Sequence, residues 1–265
     1  MRKSDNDRPL LQIRNTGKFF GKLAALDGVN IEINEGEAVG IVGPNGSGKT
    51  TLINTITGFY KPSAGEIIFR DKKISGLRAD QICSRGIMRT FQSNMIYGDT
   101  TTLENIFRGA FLTLKTSGWG QFFNVSSYRQ YNKTLWSRSH ELLEQFGLAE
   151  FKDTCAGDLP HGSQRVLGVA MAVASAPKLL LLDEPMTGMN DQEVSSMLSH
   201  IDGIREQGIT VVMVEHNMKA MLKASKRLVV LDFGQVIADD KAEVVVNMNE
   251  VIECYLGRED LQDNA

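Results

Sequence analysis

With 265 residues, 42% of them hydrophobic, the chain is long enough for one large α/β domain or two small ones around a filled core. A formal net charge of -3 argues against nucleic acid as the main partner, and Cys83, Cys155 and Cys254, odd in number and far apart, fit neither a disulfide framework nor a metal site. Met1 to Pro9 is charged with no apolar segment behind it, and the longest apolar stretch, Val166 to Leu182, is broken by Pro177 and Lys178, so neither a secretory signal nor a membrane span is expected.

Leu10 to Val42 and Glu66 to Phe69 are strand-like, with turn signals at Gly17, Gly28, Glu35-Gly36 and Ser63-Ala64-Gly65. Within the first stretch, Glu37 to Val42 reads as a short strand running into Gly43-Pro44-Asn45-Gly46-Ser47-Gly48-Lys49-Thr50, which fits the phosphate-loop pattern Gly-x-x-x-x-Gly-Lys-Ser/Thr. Lys49 to Thr57 then reads as a helix with Leu52, Ile53 and Ile56 on one face. Strand, loop and helix are the context that the motif requires. Gly43, Gly46 and Gly48 let backbone N–H groups turn toward phosphate oxygens, and the positive end of the helix dipole adds to the attraction. Lys49 is suited to the β- and γ-phosphates and Thr50 to Mg²⁺, and Asn45, Ser47 and Thr51 complete the expected cofactor-binding set.

Ser93 to Asp158 differs in kind. It holds more than half of the chain's aromatic residues, and Asn105 to His140 contains no acidic residue against Arg108, Lys115, Arg129, Lys133 and Arg138. Thr101-Thr102-Leu103-Glu104 is a capping box opening a helix whose apolar face is Leu103, Ile106, Phe107, Ala110, Phe111 and Leu114, and a second helix is expected near His140 to Phe146. Two readings of this helical insertion stand side by side. Its basic, aromatic surface faces membrane subunits and anionic headgroups, or its aromatics form a small core of their own.

Further along, Leu179 to Leu182 and Val211 to Val214 are continuous apolar runs, as expected of strands buried on both faces of a parallel sheet. Between them Val194, Met197, Leu198, Ile201 and Ile204 recur at helical spacing over Asp191 to Gln207, and Gly208 ends the run. The alternation predicts a doubly wound α/β core without internal repeats. Asp183 and Glu184 stand at the C-terminal end of the first run, where open α/β sheets bind ligands. Asp183 suits Mg²⁺, and Glu184 suits activation of a water attacking a γ-phosphate. His216 follows the next strand to the same edge, and Gln92, in Arg89-Thr90-Phe91-Gln92, stands where the core meets the insertion.

The phosphate loop, Gln92, Leu159-Pro160-His161-Gly162-Ser163-Gln164-Arg165, Asp183-Glu184, Thr187-Gly188-Met189-Asn190 and Glu215-His216 occur in an order and spacing that resemble the ATP-binding subunits of ABC transporters. Arg89 to Gln92 before a long insertion, Gly188-Met189-Asn190, Glu215 to Met218 and Val251 to Gly257 look most like the branched-chain or hydrophobic amino-acid importers. The resemblance implies one ABC ATP-binding domain: a P-loop NTPase (RecA-like) core over about 10–92 and 164–257 with an antiparallel β subdomain, a helical insertion over about 93–163 and a polar tail over 258–265. It implies ATP and Mg²⁺ as cofactors, Phe20 stacking on adenine, Thr50, Gln92 and Asp183 around Mg²⁺, Glu184 as the base and His216 as the γ-phosphate switch. The implied partners are a second, different ATP-binding subunit, two permease subunits and, indirectly, a solute-binding protein, at the cytoplasmic face of the membrane and without nucleic acid. The other readings are an ATPase subunit of a lipid or lipopolysaccharide exporter and a soluble ABC-type mechanical ATPase.

One segment departs from the family. Its signature is typically Leu-Ser-Gly-Gly-Gln, offered to a partner's nucleotide, whereas here Pro160 stands at the Ser position, His161 at the first Gly and Ser163 at the Gln, with Leu159 and Gly162 retained. Pro160 has neither hydroxyl nor N–H, so slower hydrolysis is expected at the site this segment completes, unless Ser163 or His161 supplies the donor.

Overall fold

The structure, a computed structural model, describes residues 8–90, 96–111, 125–215 and 218–262. Two compact units emerge, one formed by residues 1–82 with 205–265 and the other by 83–204.

In the first unit, β1 (Leu11–Phe20) and β2 (Leu23–Ile33) form a hairpin, followed by β3 (Ala38–Val42), α1 (Lys49–Ile56), β4 (Ala64–Phe69), β5 (Lys72–Lys73) and α2 (Ala79–Cys83). β2, β1, β4 and β5 make an antiparallel sheet in that order. Leu11, Ile13, Ile31, Ile33 and Ile67 are its inward residues, alternating with less buried, mostly polar neighbours as a sheet with one wet face requires. Gly17 and Gly28 are not turns. They lie within β1 and β2 where the pairing register slips, around Thr16↔Val29 and between Arg14 and Gly17, so these glycines mark bulges that kink the hairpin. Glu35-Gly36 is a turn as expected, with Gly36 at φ 78.

Unit 2 contains β6 (Ile87–Arg89), α3 (Thr102–Phe111), α4 (Val125–Gln145), α5 (His161–Ala174), β7 (Leu179–Asp183) and most of α6 (Asp191–Glu206). The capping box opens α3 as read: the Thr101 N–H donates to Glu104 Oε2 and the Glu104 N–H to Thr101 Oγ1, both at 3.2 Å. Leu103, Ile106 and Ala110 are buried, and Phe107 stacks on Trp136 of α4 with ring centroids 4.2 Å apart. Phe107 is half-buried and Trp136 36% exposed, so the pair is a surface stack between the two helices; Leu114 lies outside the described residues. α4 begins far ahead of the expected His140. Leu135, Leu142 and Leu143 face inward, but the inward position between them is Ser139, whose hydroxyl donates to the Leu135 carbonyl at 2.8 Å and breaks the apolar period.

The chain then returns to unit 1 with β8 (Thr210–Val214), α7 (Met218–Ala224), β9 (Arg227–Asp232), β10 (Gln235–Lys241), α8 (Ala242–Val245) and α9 (Asn249–Gln262), the last running into the expected tail. β3 lies between β8 and β9 and is parallel to both, and all five residues of β3 and of β8 are buried. Arg227 ties this sheet to the antiparallel one. It forks onto both carboxylate oxygens of Asp239 at 2.7 and 2.8 Å and reaches the Glu32 carbonyl at 2.9 Å and Glu37 at 3.2 Å. The Asp239 carboxylate accordingly raises the Arg227 pKa above its ordinary value.

Candidate functional site

The phosphate loop is built in unit 1, between the end of β3 and the start of α1. Gly43, Gly46 and Gly48 have φ of 149, 79 and 107, a backbone that L side chains rarely adopt. A Cβ at Gly43 would run into the Leu231 carbonyl oxygen, and one at Gly48 would sit 2.6 Å from the Ala25 carbonyl oxygen, whereas at Gly46 nothing lies within 4 Å. The first and last glycines therefore press the loop against β9 and β2, and the middle one lies at its open rim. The turn between β9 and β10 braces the loop from outside: the Gly234 N–H donates to the Ser47 carbonyl at 2.9 Å, and the Asp27 N–H to the Gly234 carbonyl at 2.9 Å.

Lys49 is 5% exposed, and its Nζ donates to the carbonyls of Gly43 at 2.7 Å and Pro44 at 2.9 Å. Gly48 caps α1 without any side-chain hydrogen bond, which leaves the first-turn amides uncapped by a side chain. Asn45, Gly46 and Thr50 are exposed, and Thr51 is half-buried. A buried ammonium, glycines whose Cβ space is taken by backbone and an uncapped helix start suit a polyphosphate. In the same unit Phe20 is 42% exposed at the β1–β2 turn, with Tyr60 edge-on at 5.2 Å and the Lys18 ammonium 4.9 Å from its centroid. That arrangement suits a stacking platform, to which sequence reading contributed Phe20 alone.

One neighbour of the loop was not foreseen. Tyr255 of α9 lies near the backbone of Gly43, which acts to lower the pKa of its phenol. Burial, with Cys254 adding to it, nevertheless pushes the phenol up to about 12.

In unit 2, β7 delivers Asp183 and Glu184. Asp183 is 5% exposed and accepts from the Arg89 guanidinium at 2.6 Å. Glu184 has φ 51, an unusual conformation for a non-glycine residue and one often found at functional sites. Its side chain accepts from the Thr187 hydroxyl at 3.3 Å and its carbonyl from Arg165 of α5 at 3.3 Å. The hydroxyl of Thr50 and the carboxylate of Asp183 are hard oxygen donors, the type Mg²⁺ takes. Gln92 and His216, the other two expected site residues, lie outside the described residues.

The segment Leu159–Ser163 starts α5. Pro160, at φ -53 and ψ 146, is the residue before the first helical one, and it makes no side-chain cap. Gln164 Nε2 donates back to the carbonyls of Leu159 at 3.0 Å and Gly157 at 3.2 Å and fixes the approach to the helix. Gly162 has a packing reason to be glycine, since a Cβ there would collide with the Glu193 carboxylate. Glu193 Oε2 accepts from the Asn190 N–H at 2.9 Å, and Asn190 Oδ1 accepts from the Gln192 and Glu193 N–H groups at 3.0 Å. The start of α5 thus packs against a side chain that the cap of α6 holds in place. His161 is exposed, its ring facing Gly188.

Known proteins resemble this chain over nearly its whole length. Residues 26–187 match the family model described as ABC transporter. Over 251 residues the chain is 36% identical to the high-affinity branched-chain amino acid transport ATP-binding protein LivG of Escherichia coli K12, covering 94% of this chain and 98% of LivG. It is 35% identical over the same length to the protein BraF of Pseudomonas aeruginosa, named likewise, again with 94% and 98% covered. Among solved structures, the ADP conformation of MJ1267, an ATP-binding cassette of an ABC transporter, superposes with a TM-score of 0.82 at 32% identity, covering 94% of this chain and 99% of that one. A nucleotide-free ATP-binding cassette from an ABC transporter gives a TM-score of 0.81 at 31% identity, covering 93% and 98%. With its P-loop NTPase fold and its phosphate loop in place, the chain belongs to the ABC transporter family, as an ATP-binding cassette that hydrolyses ATP.

Proposed function

We propose that the chain powers an importer of amino acids or related small solutes, bound to two permease subunits at the cytoplasmic face of the membrane and paired with a different ATP-binding subunit. The observation that carries this reading is similarity over nearly the whole chain to subunits named for branched-chain amino acid transport. No helix among the described residues is long and apolar enough to cross a membrane.

In this reading Gly43 to Thr51 and Lys49 hold the phosphates, and Phe20 with Tyr60 stacks the base. Thr50 and Asp183, with Gln92, hold Mg²⁺, which when bound neutralises charge developing on the phosphates. Glu184 accepts the proton of the attacking water, its carboxylate held by Thr187 and its backbone by Arg165. His216 contacts the γ-phosphate. Leu159 to Ser163 face the nucleotide of the partner subunit.

The two sites of such a pair are unequal. This chain's loop and Glu184 complete one site with the partner's signature, while Pro160 weakens the other. Replacing Glu184 by Gln in the purified complex is expected to remove nearly all ATPase activity, measured as phosphate release. Retention of about half, the share of one site in an equal pair, would overturn the assignment of unequal sites. Copurification with export permeases and no solute-binding protein would instead favour the exporter reading, and recovery free of membrane subunits the mechanical one.

A further inference from the structure

Arg89 and Thr90 have no role in the reading so far, yet both engage Asp183. β6 runs parallel to β7 with Arg89 level with Leu181, and the Thr90 N–H donates to the Leu181 carbonyl at 2.9 Å. This register brings the end of β6 alongside the end of β7. From there Arg89 Nη2 donates to Asp183 Oδ2 at 2.6 Å, both side chains being 7% exposed. The Asp183 backbone N–H donates to Thr90 Oγ1 at 3.3 Å. Asp183 is held by its side chain through one residue and by its main chain through the next.

Stability alone is a poor account of this pair. A buried ion pair gains little over a well-packed apolar pair, because desolvation offsets the attraction. A carboxylate that must present an oxygen to a divalent ion has a different need. Its two oxygens are equivalent, and rotation about the last side-chain bond exchanges them. A guanidinium fixed on Oδ2 stops that rotation and gives Oδ1 one direction. Carboxylates that ligate metals are commonly hydrogen-bonded in this way, and loss of the outer partner lowers metal affinity by about 10–100-fold.

We propose that Arg89 is a positioning residue for Asp183, and that Thr90 fixes the backbone from which Asp183 projects. Arg89-Thr90 thereby sets the Mg²⁺-dependent part of nucleotide affinity. This rests on the proposed role of Asp183 as a Mg²⁺ ligand.

The test is calorimetric titration of ADP into the full-length subunit, once with Mg²⁺ and once with EDTA, for wild type, Arg89→Met, Arg89→Lys, Asp183→Asn and the double variant Arg89→Met/Asp183→Asn. In Arg89→Met the ratio of the two affinities should fall about tenfold while binding in EDTA stays within about twofold of wild type. Arg89→Lys should recover part of the ratio, since it restores a charged donor. On the Asp183→Asn background Arg89→Met should change the ratio by less than about twofold, because the group it serves has lost its function. An unchanged ratio in Arg89→Met, an equal loss with and without Mg²⁺, or the same loss on the Asp183→Asn background would overturn the proposal. If Arg89→Met does not fold, Arg89→Lys and the double variant, which removes both charges, carry the comparison by the same criteria. A wild-type subunit whose ADP affinity does not respond to Mg²⁺, or in which Asp183→Asn leaves the response intact, would instead refute the role given to Asp183.

Discussion

Replacing Gly43 and Gly46 one at a time by Ala separates two demands that one loop places on its glycines. At Gly43 the backbone has φ 149, and a Cβ would strike the Leu231 carbonyl oxygen and lie 2.7 Å from Ser47 Oγ. Holding a side chain in that conformation costs about 1–3 kcal/mol, and displacing packed neighbours adds about 1–3 kcal/mol, so about 2–6 kcal/mol in all. The carbonyl belongs to β9, a central strand of its sheet, and cannot step aside cheaply. At Gly46 φ is 79 and no atom lies within 4 Å, so only the left-handed backbone is penalised, by about 1–2 kcal/mol. Thermal unfolding followed by circular dichroism should show Gly43→Ala lowering Tm by about 4–24 °C and Gly46→Ala by about 2–8 °C, at roughly 2–4 °C per kcal/mol. ADP titration should show the converse in Gly46→Ala, a clear loss of affinity in a protein that remains folded. Equal stability losses in the two variants would refute the division, and so would a Gly46→Ala protein that binds ADP as wild type does.

The other predictions concern a cap, a phenol and the altered segment. Thr101→Ala should destabilise the protein by about 0.5–2 kcal/mol in urea unfolding, and Glu104→Ala should add little on top of it, because the two bonds close one reciprocal box. Tyr255 keeps its proton to about pH 12 when folded, against 10.0 as its ordinary value. Between those values the unfolded chain has released the proton and the folded one has not, so the contribution is full below pH 10 and falls away as pH rises toward 12. The loss is about 2–3 kcal/mol, and Tyr255→Phe should lack it; parallel stability curves for the two proteins over pH 10–12 would count against it. Pro160→Ser in the assembled complex should raise ATP turnover several-fold in the Glu184→Gln background, where only the site facing Leu159–Ser163 remains, and unchanged turnover there would mean that the hydroxyl is not what limits it.

Much of this protein is legible in its sequence because its chemistry is local. The phosphate loop needs glycines at fixed offsets, and the apolar run before Asp183 needs a strand buried on both faces, so each is written in consecutive residues. The cap of α3 is equally local. What escaped reading depends on partners far away in the chain. Gly17 and Gly28 look like turns until the pairing of β1 with β2 is known, since a bulge is a property of two strands. α4 is hidden because Ser139, and not an apolar residue, fills an inward position. Arg89 meets Asp183 across 94 positions and Arg165 meets Glu184 across 19. No spacing rule joins those pairs.

Pro160 changes the side chain at the start of α5 while leaving the helix end itself in place. The contribution of a signature segment to a partner's nucleotide has two sources, a hydroxyl and the amides of the first helical turn. Proline removes the hydroxyl and its own N–H, but it holds φ at -53, a value compatible with entry into α5, and the helix begins at the next residue. His161, Gly162 and Ser163 therefore keep their amides in the first turn, where no side chain of the chain itself caps them. Gly162 keeps its place for a second reason, the Glu193 carboxylate pressed against it, so drift of the segment is resisted by packing as well as by ligand. A hydrogen bond to a charged group is worth about 1.5–3 kcal/mol, which limits the lost hydroxyl to a rate factor of roughly 10–150. The dipole and amides of the helix start, about 0.3–2 kcal/mol for each anion placed there, are retained. If Leu159–Ser163 face a partner's nucleotide as proposed, the site so completed is expected to be slowed and not abolished, which leaves Pro160→Ser an activity to restore.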